Sequence, residues 1–263
     1  MKISVCGKGG SGKSVIVALL ANQVRARGYR VLVVDSDESN SGLYRMFGFD
    51  QPPTPLLELV GGKGQVQQKM LAKFSSGESE PKMQVLGQDR IQVSDIPPQH
   101  IKREDGLGLV NVGKILHSLE GCACPMGVLT REFLAKLSLE KNEAAIVDME
   151  AGVEHFGRGV ATSIDEVLIV VEPSFESLQL AARIKELAAD AGVKRTSAIL
   201  NKIASDEMAK KLKEELRKRG LEPIGTVRYD PEIFQATLEG RAPRDGAAAE
   251  DVKEIVDSLL SKS

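Results

Sequence analysis

The stretch Cys6-Gly7-Lys8-Gly9-Gly10-Ser11-Gly12-Lys13-Ser14 sets Gly7, Gly12, Lys13 and Ser14 at the spacing glycine, four residues, glycine, lysine, serine. That spacing is the phosphate-loop template, and it constrains its flanks: a buried strand must lead in and a helix must lead out. Residues 2–6 read as the strand and residues 15–27 as the helix. Gly9, Gly10 and Gly12 let the backbone turn tightly with its N–H groups inward. The helix opening at Lys13 adds the positive end of its dipole, so the loop suits phosphate oxygens. Lys13 is placed to reach β- and γ-phosphates, and the Ser14 hydroxyl is the hard oxygen that Mg²⁺ prefers.

The remaining apolar runs supply the sheet this loop needs. Residues 29–35 form a continuous apolar strand ending at Asp35, with Asp37 two residues on. Such runs belong to parallel sheets covered on both faces, whose ligands bind at the carboxyl ends of the strands. Residues 144–148 end in Asp148, the Walker B pattern, whose carboxylate holds Mg²⁺ directly or through water. Gly152 follows where its backbone N–H can sense a γ-phosphate. Further strands are predicted at 107–113, 166–172 and 196–202, with helices at 126–139, from the Ser174 cap to about 191, at 208–219 and at 247–260. This alternation predicts an α/β fold, doubly wound, with a mostly parallel sheet of the P-loop NTPase type, in a single domain over residues 1–263. Residues 41–105 break the pattern as a loop-rich insertion. Helical patches at 42–47, 55–60 and 65–72 alternate there with Pro/Gly loops, and the segment reads equally as a partner-binding surface or a variable excursion.

Among 263 residues, 42% are hydrophobic and 27% charged, with a net charge of −2. These values suit a soluble globular domain with a large core, and they favour neither nucleic acid nor an anionic membrane as partner. No apolar run reaches membrane-spanning length, and the chain enters its first strand without a signal peptide, so the expected location is the cytoplasm. The segment 247–260 carries four acidic residues against one lysine, unlike a basic membrane-targeting helix.

Three cysteines are too few for a disulfide framework. Cys6, inside the first strand, reads as a small buried hydrophobe. Cys122 and Cys124 stand one residue apart in a loop, where two thiolates could grip one soft or borderline metal ion. A four-coordinate site needs two more ligands, which a single chain does not obviously offer. Incidental surface thiols and a redox pair are the alternatives. His155 reads as a solvated or hydrogen-bonded side chain rather than a ligand.

Gly-Lys-Gly-Gly-x-Gly-Lys-Ser, with Lys8 directly after the first glycine, resembles the deviant phosphate loop of the MinD, ParA and nitrogenase iron protein superfamily. The resemblance implies ATP or ADP with Mg²⁺ held by Gly7 through Ser14, and a homodimer in which Lys8 crosses to the nucleotide of the partner protomer, as an arginine finger does. It further implies that Asp37 orients or activates the attacking water, that Asp35 supports Mg²⁺ through its water shell, and that Asn201, with Lys202 beside it, reads the adenine edge. Residues 225–234 resemble the last strand and adenine-flanking loop of these proteins, with Arg228 departing from a common proline.

Taken with Cys122-x-Cys124 and the phrase Asp148-Met-Glu-Ala-Gly-Val-Glu-His-Phe-Gly-Arg158, the chain resembles the CooC-type ATPases, accessory proteins for nickel insertion into carbon monoxide dehydrogenase. That resemblance implies a dimer promoted by nucleotide and metal, with nickel or zinc held by four thiolates at its interface, and the apo-enzyme as partner. A MinD/ParA-like positioning ATPase and an ATP-dependent iron–sulfur reductase remain as other readings.

Overall fold

Alternate residues of the apolar runs face opposite ways, and the sheet buries both sets. Along β2 (Arg30–Asp35), Val31 and Val33 join one core layer while Leu32 and Val34 join the other. The computed structural model describes residues 1–75, 86–115 and 124–261. Its other strands are β1 (Lys2–Gly7), β3 (Lys102–Glu104), β4 (Leu107–Asn111), β5 (Glu143–Asp148), β6 (Glu166–Val171), β7 (Arg195–Ile203) and β8 (Pro223–Arg228). They form one eight-stranded sheet in the order β3-β4-β2-β5-β1-β6-β7-β8. Every neighbouring pair is parallel except β3 with β4.

One face is covered by α1 (Lys13–Ala26), the short α2 (Leu43–Met46) and two helices described below. The other receives α3 (Leu56–Leu59), α4 (Gly62–Ser75), α5 (Cys124–Lys136), α6 (Glu154–Gly157), α7 (Phe175–Asp190) and α8 (Asp206–Lys218). Returning to the first face, α9 (Pro231–Leu238) and α10 (Ala247–Leu260) close it. Ile16, Leu19 and Leu20 of α1 are fully buried there, each contributing about 1.5–3 kcal/mol by leaving water.

The order of the sheet locates the crevice. From β1 the chain moves to β2 on one side, whereas from β5 it crosses β1 to β6 and continues outward through β7 and β8. The winding reverses at β1, and ligands of such sheets sit outside the carboxyl ends of the strands at that reversal.

Residues 41–105 hold more regular structure than their loop signals suggest. Besides α2, α3 and the 14-residue α4, they supply β3, a charged antiparallel edge strand absent from the sequence reading. Leu56, Val66, Ile91, Ile96 and Ile101 from this segment bury in the same core as Phe133 of α5. Further differences lie after β4 and after β8. The helix expected at 126–139 runs from Cys124 to Lys136, and the stretch expected as a loop after β8 contains α9, started by the Asp230 cap and by Pro231 at its first turn.

Candidate functional site

The loop after β1 is held from behind. Gly12 caps α1 at φ 93, and a Cβ there would lie 2.4 Å from Asn201 Nδ2, which donates to Ser11 O at 2.8 Å. Only glycine adopts that backbone while admitting the amide so closely. Lys13 is 6% exposed and donates to Lys8 O at 3.4 Å, so its ammonium lies along the loop. Ser11 Oγ is buried without a hydrogen-bond partner. A loop with an orphaned hydroxyl, a buried lysine and a helix N-terminus fits an oligophosphate.

Beside the loop, Ser14 Oγ donates to Asp148 Oδ2 at 2.7 Å and accepts from Asn40 Nδ2 at 2.7 Å. Asp148 Oδ1 is buried and unpartnered. Burial first, and the neighbouring Asp35 charge second, push the Asp148 carboxyl up to about 7. Burial likewise raises Asp35 to about 6, against the opposing pull of Lys114, whose Nζ sits 2.7 Å from Asp35 Oδ1. Lys114 also donates to Asp37 O at 2.5 Å. Asp37 Oδ1 accepts from the N–H of Ser39 at 2.9 Å and from its hydroxyl at 2.6 Å.

An orphaned carboxylate oxygen against a hydroxyl is a donor set that fits Mg²⁺. Among the described residues no three Asp, Glu, His or Cys side chains are grouped as a cation cage. That suits an ion that keeps several waters and shares phosphate oxygens. Ser14 and Asp148 would hold it, with Asp35 behind.

The end of β7 departs from strand geometry. Leu200 pairs with Thr226 and Ile203 with Arg228, so β7 takes three steps where β8 takes two. Lys202 absorbs the extra residue at φ 60, a left-handed backbone that costs a non-glycine residue about 1–2 kcal/mol. Asn201 and Lys202 thereby both reach the phosphate loop, at Ser11 O and Gly10 O. Lys202 Nζ also lies 3.3 Å from Glu172 Oε2, and Lys8 Nζ lies 3.0 Å from Glu172 Oε1.

After β5, Gly152 N–H donates to Gly7 O at 3.3 Å. Arg158 then pairs with Glu150 at 2.7 Å and lies 3.7 Å from Glu38, which follows Asp37. Its Cδ would be 2.4 Å from a Cβ on Gly127 of α5. Ser36, Glu38, Gly127, Glu150 and Arg158 line a small, partly open pocket here. The helix that Arg158 touches begins at Cys124, which is half-buried and disulfide-bonded. Cys122 lies outside the described residues. His155, expected as a solvated or hydrogen-bonded side chain, is buried against Cys6.

The structure thus gathers Gly7 through Ser14, Asp35, Asp148, Gly152, Asn201 and Lys202 at one end of the sheet, with Asp37 just beyond Asp35. Lys114, Glu172, Asn40 and the Glu38–Arg158 contact were not foreseen. Glu172 stands at a strand end, which is a usable signal; Lys114 lies 79 residues from its partner and carries none.

A glycine loop on the central strand, backed by carboxylates on its neighbours, defines a P-loop nucleotide-binding protein. The profile of the CobQ/CobB/MinD/ParA nucleotide binding domain matches residues 3–243, and the chain belongs to that family. It is 38% identical over 259 residues to an uncharacterized ATP-binding protein of Methanocaldococcus jannaschii, covering 98% of this chain and 99% of that one. It is also 38% identical over 212 residues to the carbon monoxide dehydrogenase accessory protein CooC of Rhodospirillum rubrum, covering 78% of this chain and 75% of the relative. In fold it matches the cell division ATPase MinD of Pyrococcus furiosus, with a TM-score of 0.68 at 20% identity over 100% of this chain and 99% of that one.

Proposed function

We propose that this chain is a dimeric, cytoplasmic ATPase that couples ATP binding and hydrolysis to metal handling, nickel above all, for maturation of a carbon monoxide dehydrogenase. Lys13 draws in the β- and γ-phosphates, and the loop N–H groups from Gly7 to Ser14 cradle them. Bound Mg²⁺ would neutralise charge on the phosphates. Asp37 orients the attacking water, Gly152 N–H reads the γ-phosphate, and Asn201 with Lys202 takes the base end. Lys8 stabilises the transferring phosphoryl group across the dimer.

The observation that carries the metal reading is the contact of the Cys124-bearing helix with Arg158, which bridges the segments after Asp35 and Asp148. A change at either nucleotide segment therefore reaches the helix that starts at the cysteine pair. The likeness to CooC supports the client. Cys122 and Cys124 bind metal as thiolates in the reduced protein, and two protomers supply a closed set of four. The acidic α10, with Glu250, Asp251, Glu254 and Asp257 against Lys253, disfavours a membrane-positioning role.

The test is metal content against oligomeric state in reduced, anaerobic protein. One nickel or zinc per dimer is expected in the parent, falling at acid pH as the thiolates protonate. None is expected when both Cys122 and Cys124 are serine. One metal per monomer, or unchanged metal in the double-serine variant, would remove the interfacial site.

A further inference from the structure

Lys8 turns back onto its own chain. Its ammonium, about one third exposed, sits 3.0 Å from Glu172 Oε1. The other oxygen of the same carboxylate faces Lys202 Nζ at 3.3 Å, and Lys202 also donates to Gly10 O in the phosphate loop. Glu172 is well placed for this. It follows β6 directly beside β1, its side chain is only 17% exposed, and its N–H donates to Ser177 Oγ at 3.1 Å in the first turn of α7. Burial opposes its charge, but the hydrogen bonds from Lys8 and Lys202 outweigh that and hold the carboxyl below its ordinary range.

We propose that Glu172 is a positioning residue that latches Lys8 within its own protomer, so that pairing of two protomers over nucleotide requires the Lys8–Glu172 contact to open. The inference rests on the reading that Lys8 acts in trans. A Lys8 side chain extended across to the neighbour's phosphate leaves the Glu172 oxygen of its own chain. The dimer-competent fraction is then the fraction with Lys8 released, and the apparent dissociation constant of the dimer exceeds the intrinsic one by that factor. Lys202 links the latch to the site, because it shares Glu172 and touches the loop at Gly10. Anything that draws Lys202 toward bound nucleotide weakens its hold on the carboxylate, and the remaining charge of Glu172 then binds Lys8 alone.

The test is sedimentation equilibrium of reduced protein with a non-hydrolysable ATP analogue. The variants are Glu172→Gln, which keeps the shape and removes the charge, Lys8→Ala and the double variant. Glu172→Gln is expected to tighten the dimer about fivefold, the population effect of removing a partly exposed ion pair. Raising the salt concentration should narrow the difference between the parent and Glu172→Gln dimers, because the latch is screened. The gain must vanish in the Lys8→Ala background. A Glu172→Gln dimer no tighter than the parent, or a gain that persists without Lys8, overturns the latch while leaving the trans role of Lys8 standing. Normal dimerisation and turnover by Lys8→Ala alone overturns the trans role itself. Glu172→Asp, shorter by one methylene with the charge kept, covers a folding failure of the glutamine variant. It is expected to tighten the dimer by a smaller factor, and an unchanged or weaker dimer counts against the latch.

Discussion

Cys6 Sγ lies 3.3 Å from His155 Nε2, so the residue just before the phosphate loop touches the segment after Asp148 beneath the surface. Both side chains are buried. Burial foremost, aided by the positive charges of Arg158 and Lys13, pushes His155 down to about 3. Burial pushes the Cys6 thiol up to about 12. The pair is therefore neutral across the physiological range. It ties the loop to α6 without adding charge below the phosphates.

Stability should depend on pH through His155. The unfolded chain takes a proton on this histidine near pH 6.5, whereas the folded chain refuses it until about pH 3. Folding stability is thus fully present above pH 6.5 and is lost as pH falls through this window, by about 1.4 kcal/mol per pH unit. His155→Gln removes that dependence, so the gap in urea midpoint between parent and variant should narrow from pH 7 to pH 5. Parallel losses in the two proteins would contradict it.

Two glycines of the loop should respond differently to alanine. A Cβ on Gly12 meets Asn201 Nδ2 at 2.4 Å with φ at 93, whereas on Gly9 the nearest atom is Ala151 Cβ at 3.7 Å, an ordinary contact. Gly12→Ala is expected to weaken nucleotide binding by more than about tenfold, combining left-handed strain with loss of the Asn201 contact. Gly9→Ala should stay within about threefold. Isothermal titration with ADP and Mg²⁺ separates them, with circular dichroism to check the fold.

Asp37→Asn keeps the shape and the Ser39 contacts of a residue whose charge the hydrolysis reading needs. Turnover should fall by roughly 10²-fold or more while ATP and the dimer persist. Loss of ATP affinity instead would assign Asp37 to holding the metal.

Asp230 fastens two helices with one carboxylate. Oδ1 accepts from the N–H groups of Glu232 and Ile233 in α9, and Oδ2 accepts from Ala248 N in α10 at 3.0 Å. Burial opposes its charge, but these N–H donors outweigh it and hold the carboxyl below its ordinary range. The stability it contributes is present above about pH 4 and is lost as pH falls through the folded value. Asp230→Ala should cost about 2 kcal/mol at pH 7 and lower Tm by several degrees. Asp230→Asn, which retains the Oδ1 acceptor, should recover part of it.

How much was legible depends on whether the determinant was local. The strand–loop–helix around Gly7 to Ser14, and Asp148 at the end of an apolar run, were readable because their geometry is written within a few residues. β3 escaped because three charged edge residues carry no apolar period. The helix after Asp230-Pro231 is announced by its cap and first-turn proline, whereas the resemblance to other proteins suggests a loop there. Lys114 acts through partners more than 75 residues away, and Glu172 through Lys8, 164 residues away, and Lys202, 30 residues away. Only its place at a strand end marks Glu172, and nothing local distinguishes Lys114 from a solvated lysine.

The extra residue at the end of β7 has a consequence for how this site can vary. In a regular strand, consecutive side chains leave on opposite sides, so one strand end can deliver only one of two neighbouring residues to a given loop. The bulge at Asn201 and Lys202 suspends that rule for one step and aims an amide and an ammonium at adjacent carbonyls, Ser11 O and Gly10 O. Losing one residue here would restore alternation and turn one of the two side chains away, with Leu200 and every residue before it unmoved. A single-codon deletion could therefore disarm the loop's rear support in a chain whose sheet and core were otherwise intact, and that lesion would escape any assay of folding alone.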